Sequence, residues 1–372
     1  MKKILITCSN ASTYHAPVFR NLSKVCELKV LFGEKDLFQG YYSAEYKTYI
    51  KRNPEVFKGY NFKFLDNYFN KKKKVGFFSR SNLYVAKEIY KFNPDIVFIF
   101  GYDTFTSLIA YITSILLRKK IYWRGETLMK KQSFFKRFIK FFFLKIYFYF
   151  VNRVFFSCNR NKDSLKRYCH KDKLFFYPCL VDNKKIRYFS SINKNKLDFK
   201  LKKKISKNFN ILTACRLTKR KNVDKIIMAL KNTNFNLLVV GNGPEKANLI
   251  RLARLYKVNA YFFDFLYQKD MNKVLNKTDV FCLMSNFDAS PKIVNEIMNY
   301  KIPIILSDKI GTAGDLIVNN YNGFIVKNVI ELRKKIFLLN KNKIYRKIFS
   351  TKSIKILDEK FNFNVAIKNI ID

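Results

Sequence analysis

Acidic residues are scarce. Only 27 Asp and Glu oppose 73 Lys and Arg among 372 residues, for a formal net charge of +46. A field of that sign attracts nucleic acid or anionic lipid. It also reads as composition alone, because Lys, Asn, Ile, Phe and Tyr dominate every segment. Histidine is rarer still. His15 and His170 are the only two, which excludes a histidine-rich metal site. The seven cysteines (Cys8, Cys26, Cys158, Cys169, Cys179, Cys215, Cys282) are odd in number and scattered, with no C-x-x-C pair. That pattern argues against a disulfide frame or a zinc cage and suits a reducing cytosol.

Long apolar runs are missing too. Ile4–Cys8, behind Met1-Lys2-Lys3, is shorter than the about 7 to 15 apolar residues of a secretory signal, and reads as a first buried strand. The longest uncharged stretch, Thr104 to Leu117, falls below the about 18 residues that span a bilayer and suits a buried helix. No transmembrane segment is expected.

What the chain does have is 48% hydrophobic residues, ample for globular cores. Its length exceeds one core and predicts two domains of roughly 150 to 200 residues. Short apolar runs alternate with amphipathic segments throughout, the signature of βαβ units on parallel sheets in an α/β fold. Strands are predicted at Lys3–Cys8, Glu27–Phe32, Asp95–Phe100, Lys120–Trp123 and Val154–Ser157, with Pro94 as a helix stop ahead of the third. The lysine-rich stretch Lys194–Lys207 reads as a solvated helix or linker. After it the alternation restarts with strands at Ile211–Ala214, Asn236–Val240, Ala260–Phe263, Val280–Met284, Ile304–Ser307 and Gly323–Val326. The expected organisation is an N-terminal domain over 1–190, a linker over 191–208, a second domain over 209–345 and closing helices over 346–372.

Ligands bind at the carboxyl ends of strands in such sheets, and three junctions in the second half carry unusual polar residues there. The first is Arg216-Leu217-Thr218-Lys219-Arg220-Lys221-Asn222, where a guanidinium fork and an ammonium suit a diphosphate. In so basic a chain it also reads as an ordinary surface loop. The second, Gly241-Asn242-Gly243-Pro244-Glu245, lets a backbone approach closely, with Pro244 fit for a first helical turn. It lacks the third glycine of a dinucleotide fingerprint and reads equally as a tight turn.

The third junction is Ser285 to Glu296. Ser290 is predicted as an N-cap and Pro291 as the first helical residue, so that free amides through Lys292 and Ile293 face a phosphate. Asp288 precedes the helix and Glu296 lies inside it, spaced to accept hydrogen bonds from a sugar and a ribose. Glu296 reads equally as an i−4 partner of Lys292.

Val239-Val240-Gly241-Asn242-Gly243-Pro244-Glu245, Asp288-x7-Glu296 with Ile297 to Asp308, Gly311 to Ile317 and Asn322-Gly323-Phe324 resemble, in order and spacing, the donor domain of retaining glycosyltransferases of family four. The resemblance runs from about 211 to 326. It implies the GT-B fold, two facing Rossmann-like parallel-sheet domains with the site in the cleft. It implies that Arg216 and Lys221 bind the donor diphosphate, beside which Gly241, Gly243, Ser290, Pro291, Lys292 and Ile293 stand as further candidate donor contacts. Glu296 would hold the ribose and Asp288 the transferred sugar. The family usually has Glu where Asp288 stands, and one methylene less changes the reach toward the sugar.

The N-terminal half is similar more faintly. Arg124-Gly125-Glu126-Thr127 follows a strand that in relatives faces the anomeric carbon, so Arg124 and Glu126 are candidate catalytic contacts. Tyr14, His15 and Asp103 are candidate acceptor contacts. Glu126 also reads as a helix cap, and His15 as a packed or surface residue. No cofactor or metal is expected, since fixed positive groups can stabilise the leaving diphosphate and no Asp-x-Asp stands at a strand end. The partners implied are a nucleotide-sugar donor and a glycan or lipid-linked acceptor.

Phe134 to Phe156 holds twelve aromatic and five basic residues and no acid. This composition suits a helix lying in a membrane interface, or one packed on a sheet. The first reading places the protein in the cytoplasm, peripheral at the inner face of the cell membrane and in contact with an anionic lipid surface. Two other readings remain. The first is a basic nucleic-acid binder, against which no nucleic-acid module appears. The second is a catalytically silent glycosyltransferase-like subunit, suggested by Asp288.

Overall fold

The computed structural model describes residues 1–9, 12–33, 41–43, 48–50, 54–66, 77–79, 81–126, 133–192 and 208–372. Most of the expected linker, and Thr127, lie outside them. The chain divides into two compact units, one of residues 1–42, 49–180 and 363–372, the other of residues 43–48 and 181–362.

The first unit is built on β1 (Lys3–Cys8), β2 (Glu27–Phe32), β5 (Asn61–Phe64), β6 (Ile96–Phe100), β7 (Lys120–Arg124), β8 (Arg153–Phe156) and β9 (Leu174–Phe176). They form one parallel sheet in the order β5-β2-β1-β6-β7-β8-β9. A short two-stranded sheet pairs β3 (Tyr41–Ser43) with β4 (Thr48–Ile50). The inner strands are continuous apolar runs because helices cover both faces. On one face, α1 (Ala16–Leu22) packs beside the last helix of the chain, Phe363–Ile371, which rejoins this unit. The other face carries α2 (Tyr84–Phe92), α3 (Phe105–Leu116) and α4 (Phe134–Tyr149). The uncharged stretch from Thr104 does form a packed helix, and Thr104 caps it by accepting from the Ser107 amide at 3.1 Å. Asn93, in left-handed conformation, ends α2 just before Pro94.

The aromatic segment forms α4 and then runs into β8, which overlaps the strand expected at Val154–Ser157. Asn152 ends that helical run by accepting from the Ile121 amide, which draws the chain into the sheet. Leu144, Tyr147 and Phe148 of α4 pack inward, Tyr147 stacking on Tyr111 and Phe148 meeting Trp123 edge-on. Phe134, Phe135, Phe138, Ile139, Ile146 and Tyr149 point outward, each more than half exposed. Among the described residues, no helix is long and apolar enough to cross a membrane.

The second unit opens with α5 (Asn159–Leu165) of the first unit left behind and α6 (Asn183–Ile192) as its own first helix. Its sheet comprises β10 (Asn210–Ala214), β11 (Asn236–Val240), β12 (Asn259–Phe263), β13 (Val280–Leu283), β14 (Ile304–Ser307) and β15 (Gly323–Val326). All are parallel, in the order β12-β11-β10-β13-β14-β15. Between them run α7 (Val223–Ala229), α8 (Lys246–Leu255), α9 (Gln268–Leu275) and α10 (Lys292–Asn299), and α11 (Val329–Lys341) and α12 (Lys343–Lys360) follow. The helix at Phe363–Ile371 is α13. Both units are thus Rossmann-like parallel-sheet domains, as expected.

Candidate active site

At the carboxyl edge of the second sheet, main-chain hydrogen bonds lace the three polar junctions together. The Cys215 amide donates to Val240 O at 3.0 Å, the Leu217 amide to Asn242 O at 2.9 Å, and the Glu245 amide returns to Leu217 O at 3.0 Å. The basic loop and the glycine loop therefore form one ribbon. This explains the glycines. A Cβ on Gly241 would stand 2.0 Å from Cys215 O, and one on Gly243 2.3 Å from Leu217 O. The close approach they permit in this structure is to the neighbouring loop. Pro244 lies ahead of α8, which starts at Lys246 and not at the proline.

The basic loop is tied as firmly to the third junction. Asn222, at φ 48, donates from Nδ2 to Met284 O at 3.0 Å and to Asn286 Oδ1. The Asn286 amide donates to Arg220 O, and Arg220 Nη1 to Phe287 O at 3.0 Å. Lys221 closes the seam with an ion pair to Asp288, both side chains at least four-fifths buried. Asp288 is held from behind as well, because its carbonyl accepts from the Gly311 amide at 2.7 Å.

Helix α10 begins at Lys292, one residue later than the Ser290 cap implies. Pro291 takes the cap position, since its φ of −69° fits a helix but its ψ of 106° is extended. No acid stands in the first turn, so the positive helix end is uncompensated within it. Ser290, Val294 and Ile297 are buried, while Lys292, Ile293 and Glu296 are half-buried. One turn beyond Glu296, burial pushes the Tyr300 phenol up to about 12, with Glu296 adding to the rise, and its hydroxyl bonds to Asn272 and Gln268. Burial also pushes the Cys215 thiol up to about 11, so it stays protonated at neutral pH and is no nucleophile despite its place between the loops.

The first unit gathers a second cluster at its own strand ends. Arg124, the last residue of β7, is 7% exposed and reaches Glu126 at 3.3 Å. Its guanidinium lies 4.4 Å from the Tyr177 ring centre and 5.6 Å from that of Phe100. His15 meets Phe100 edge-on at 5.1 Å and stacks on Phe19. His15, Arg124 and Glu126 thus belong to one cluster. Tyr14 sits in the turn before α1, its amide on Ser12 Oγ, and Asp103 is exposed in the turn before α3.

Four further residues shape these sites: Asn222 and Asn286, which lie within the expected junctions but were given no role of their own, and Phe100 and Tyr177, which were not singled out. Asn222 carried a signal, since asparagine is the non-glycine residue best suited to a left-handed turn at a helix start. The two aromatics had none to separate them from the other core rings.

Residues 193–356 match the family described as Glycosyl transferases group 1. The chain is similar to the O-antigen biosynthesis glycosyltransferase WclY of Escherichia coli, with 32% identity over 143 residues, 36% of this chain and 40% of the relative. Among solved structures it is similar to a glycosyltransferase from Rickettsia africae ESF-5, with TM-score 0.74, 19% identity, and coverage of 100% of this chain and 97% of the other. It is similar also to Anabaena Alr3699/HepE in complex with UDP, with TM-score 0.72, 14% identity and coverage of 100% and 98%. At those identities the two structures speak to the fold alone. The chain spans well under half the length of the WclY relative.

Proposed function

We propose that this chain is a group 1 glycosyltransferase that moves a sugar, with retention, from a nucleotide-sugar donor to a glycan or lipid-linked glycan in cell-surface polysaccharide synthesis of the capsule, O-antigen or lipopolysaccharide type. The observation that carries this reading is the seam at the carboxyl edge of the second sheet. There Arg216, Lys221, the Gly241–Gly243 turn and the N-terminal end of α10 lie within one hydrogen-bonded frame. A diphosphate fits that set of cations and amides, and Glu296 on the same helix suits a ribose diol. WclY's role in O-antigen biosynthesis and the UDP held by HepE support the reading.

In the reaction the bond from the anomeric carbon to the diphosphate breaks through an oxocarbenium-like state. The acceptor oxygen bonds to that carbon from the same face, and its proton passes to the departing diphosphate. Arg216, Lys221 and the α10 amides would stabilise the growing charge, so the step as written uses no metal ion. Asp288 would meet the transferred sugar. Arg124 and Glu126 would serve phosphate and acceptor, and Tyr14, His15 and Asp103 the acceptor. The outward ridge of α4, with Arg137 and Lys145 on the same helix, suits an anionic bilayer at which a lipid-linked acceptor would be met.

Thermal shifts with UDP-, GDP- and ADP-sugars test the donor, followed by transfer assays. Glu296→Ala should lower kcat/KM at least about 100-fold, because two hydrogen bonds to a charged group at about 1.5 kcal/mol each already amount to about 3 kcal/mol. No stabilisation by any nucleotide would sink the proposal. Salt-sensitive RNA binding that Glu296→Ala leaves intact would favour a nucleic-acid role instead.

A further inference from the structure

We propose that Tyr177 is a positioning residue that acts through Arg124, an inference that rests on the glycosyltransferase reading for its kinetic consequence but not for its geometry. Arg124 is a charge almost fully out of water with, among the described residues, one ion-pair contact, Nη2 to Glu126 at 3.3 Å. Its Nε is buried and has no hydrogen-bond partner among the described residues. A guanidinium so sparsely bonded should be free to swing, yet two rings confine it. Tyr177 and Phe100 stand nearly perpendicular, at 83° with centres 6.4 Å apart, and the guanidinium carbon lies 4.4 and 5.6 Å from their centres.

Ring faces attract a desolvated guanidinium without using any of its N–H groups. They fix the fork while leaving its terminal nitrogens to bond an anion, and the rotamer freedom is removed before the ligand arrives. Tyr177 is the nearer ring and the better anchored. It is fully buried at the end of β9, and its amide donates to Phe156 O at 2.9 Å. Its hydroxyl has no hydrogen-bond partner among the described residues, and burial pushes its pKa upward, so it stays neutral. The working part is therefore the ring face, not the hydroxyl.

Two measurements test this. In the first, nitrogen-15 relaxation at Arg124 Nε should report a rigid side chain in the unmutated protein and in Tyr177→Phe, with an order parameter near about 0.85, and a mobile one below about 0.6 in Tyr177→Leu. A rigid Arg124 in Tyr177→Leu overturns the proposal whether or not the chain transfers sugar. In the second, a double-mutant cycle on transfer, Tyr177→Leu should lower kcat about 10- to 100-fold with donor KM changed less than about twofold, and Tyr177→Phe should restore it. In an Arg124→Ala background the same Leu substitution should cost less than about twofold, because its route to the chemistry is gone. An equal loss in both backgrounds, as a general folding defect would give, overturns the proposal. Absence of transfer in the unmutated protein alongside the expected relaxation results would strike the transferase reading and leave the positioning of Arg124 standing.

Discussion

Lys221 and Asp288, 67 residues apart in sequence, join two strand ends of the second unit through an ion pair that is mostly shielded from water. Removing one partner of such a pair leaves an uncompensated charge, which costs about 3 kcal/mol or more when burial is complete and less at this degree of exposure. Asp288→Ala should therefore melt lower without ligand. A bound diphosphate would supply the missing negative charge, so a nucleoside diphosphate, which lacks the sugar that Asp288 would meet, should raise the melting temperature of Asp288→Ala more than that of the parent. Equal shifts in both would mean that Lys221 does not face the phosphate.

The glycine loop makes a separate prediction about stability. Gly241 and Gly314 both have positive φ, +134° and +98°, but only Gly241 faces a backbone oxygen, while a Cβ on Gly314 would meet nothing within 4 Å. Gly241→Ala must push apart the two loops that form the seam and should cost about 3 kcal/mol or more. Gly314→Ala carries the conformational penalty alone, about 1 to 2 kcal/mol. Urea unfolding of both variants checks the order, and similar losses would refute the account of why Gly241 is glycine.

The same contrast shows what was legible in the sequence. The inner strands stood out because burial on both faces makes them continuous apolar runs, as in Ile4–Thr7 or Val280–Leu283. The edge strands β5 and β9 did not. Asn61–Phe64 alternates exposed and half-buried positions, and Leu174–Phe176 is only three residues long. At the second sheet the residue types and their spacing were readable, but not the seam. The Asn222–Met284 bond and the Lys221–Asp288 pair join positions more than 60 residues apart, and no local pattern encodes them. Arg124 was singled out, with Glu126, only through the resemblance of its strand end to that of relatives, whereas its ring clamp comes from β6 and from the residue that follows β9, far off in sequence.

The ridge on α4 predicts a lipid dependence. Phe134, Phe135, Phe138 and Tyr149 are exposed while Leu144, Tyr147 and Phe148 anchor the helix to its sheet. Replacing Phe134, Phe135 and Phe138 together by Ser should leave the fold intact and lower co-sedimentation with phosphatidylglycerol vesicles at least about tenfold, each buried ring being worth about 1.5 to 3 kcal/mol at most. Binding should also weaken with salt, because the basic side chains contribute by charge. Unchanged sedimentation of the triple variant would remove α4 as the contact.

Glu88 on α2 gives a prediction in pH. It is 7% exposed and accepts from Lys29 and Lys63, each at 2.7 Å. Burial alone would raise its pKa, but the two ammonium groups outweigh it and hold the carboxyl below its usual value. A carboxyl with a depressed folded pKa adds stability that is fully present above the unfolded pKa of about 4.3 and is lost as pH falls through the folded value. Glu88→Gln should therefore destabilise the first unit at pH 7 by about 1 to 3 kcal/mol, and the gap to the parent should close on acidification below about pH 4.3. The two lysines are not equal partners. The Lys63 side chain is 55% exposed against 19% for Lys29, so the Lys63 arm is screened by water and salt. Lys29→Met should accordingly cost more than Lys63→Met in urea unfolding at low salt, and the Lys63 penalty should shrink further at about 1 M salt, where the screening length is about 3 Å. A Glu88→Gln penalty that stayed constant from pH 7 to 3 would show that packing, and not the paired charge, is what Glu88 contributes.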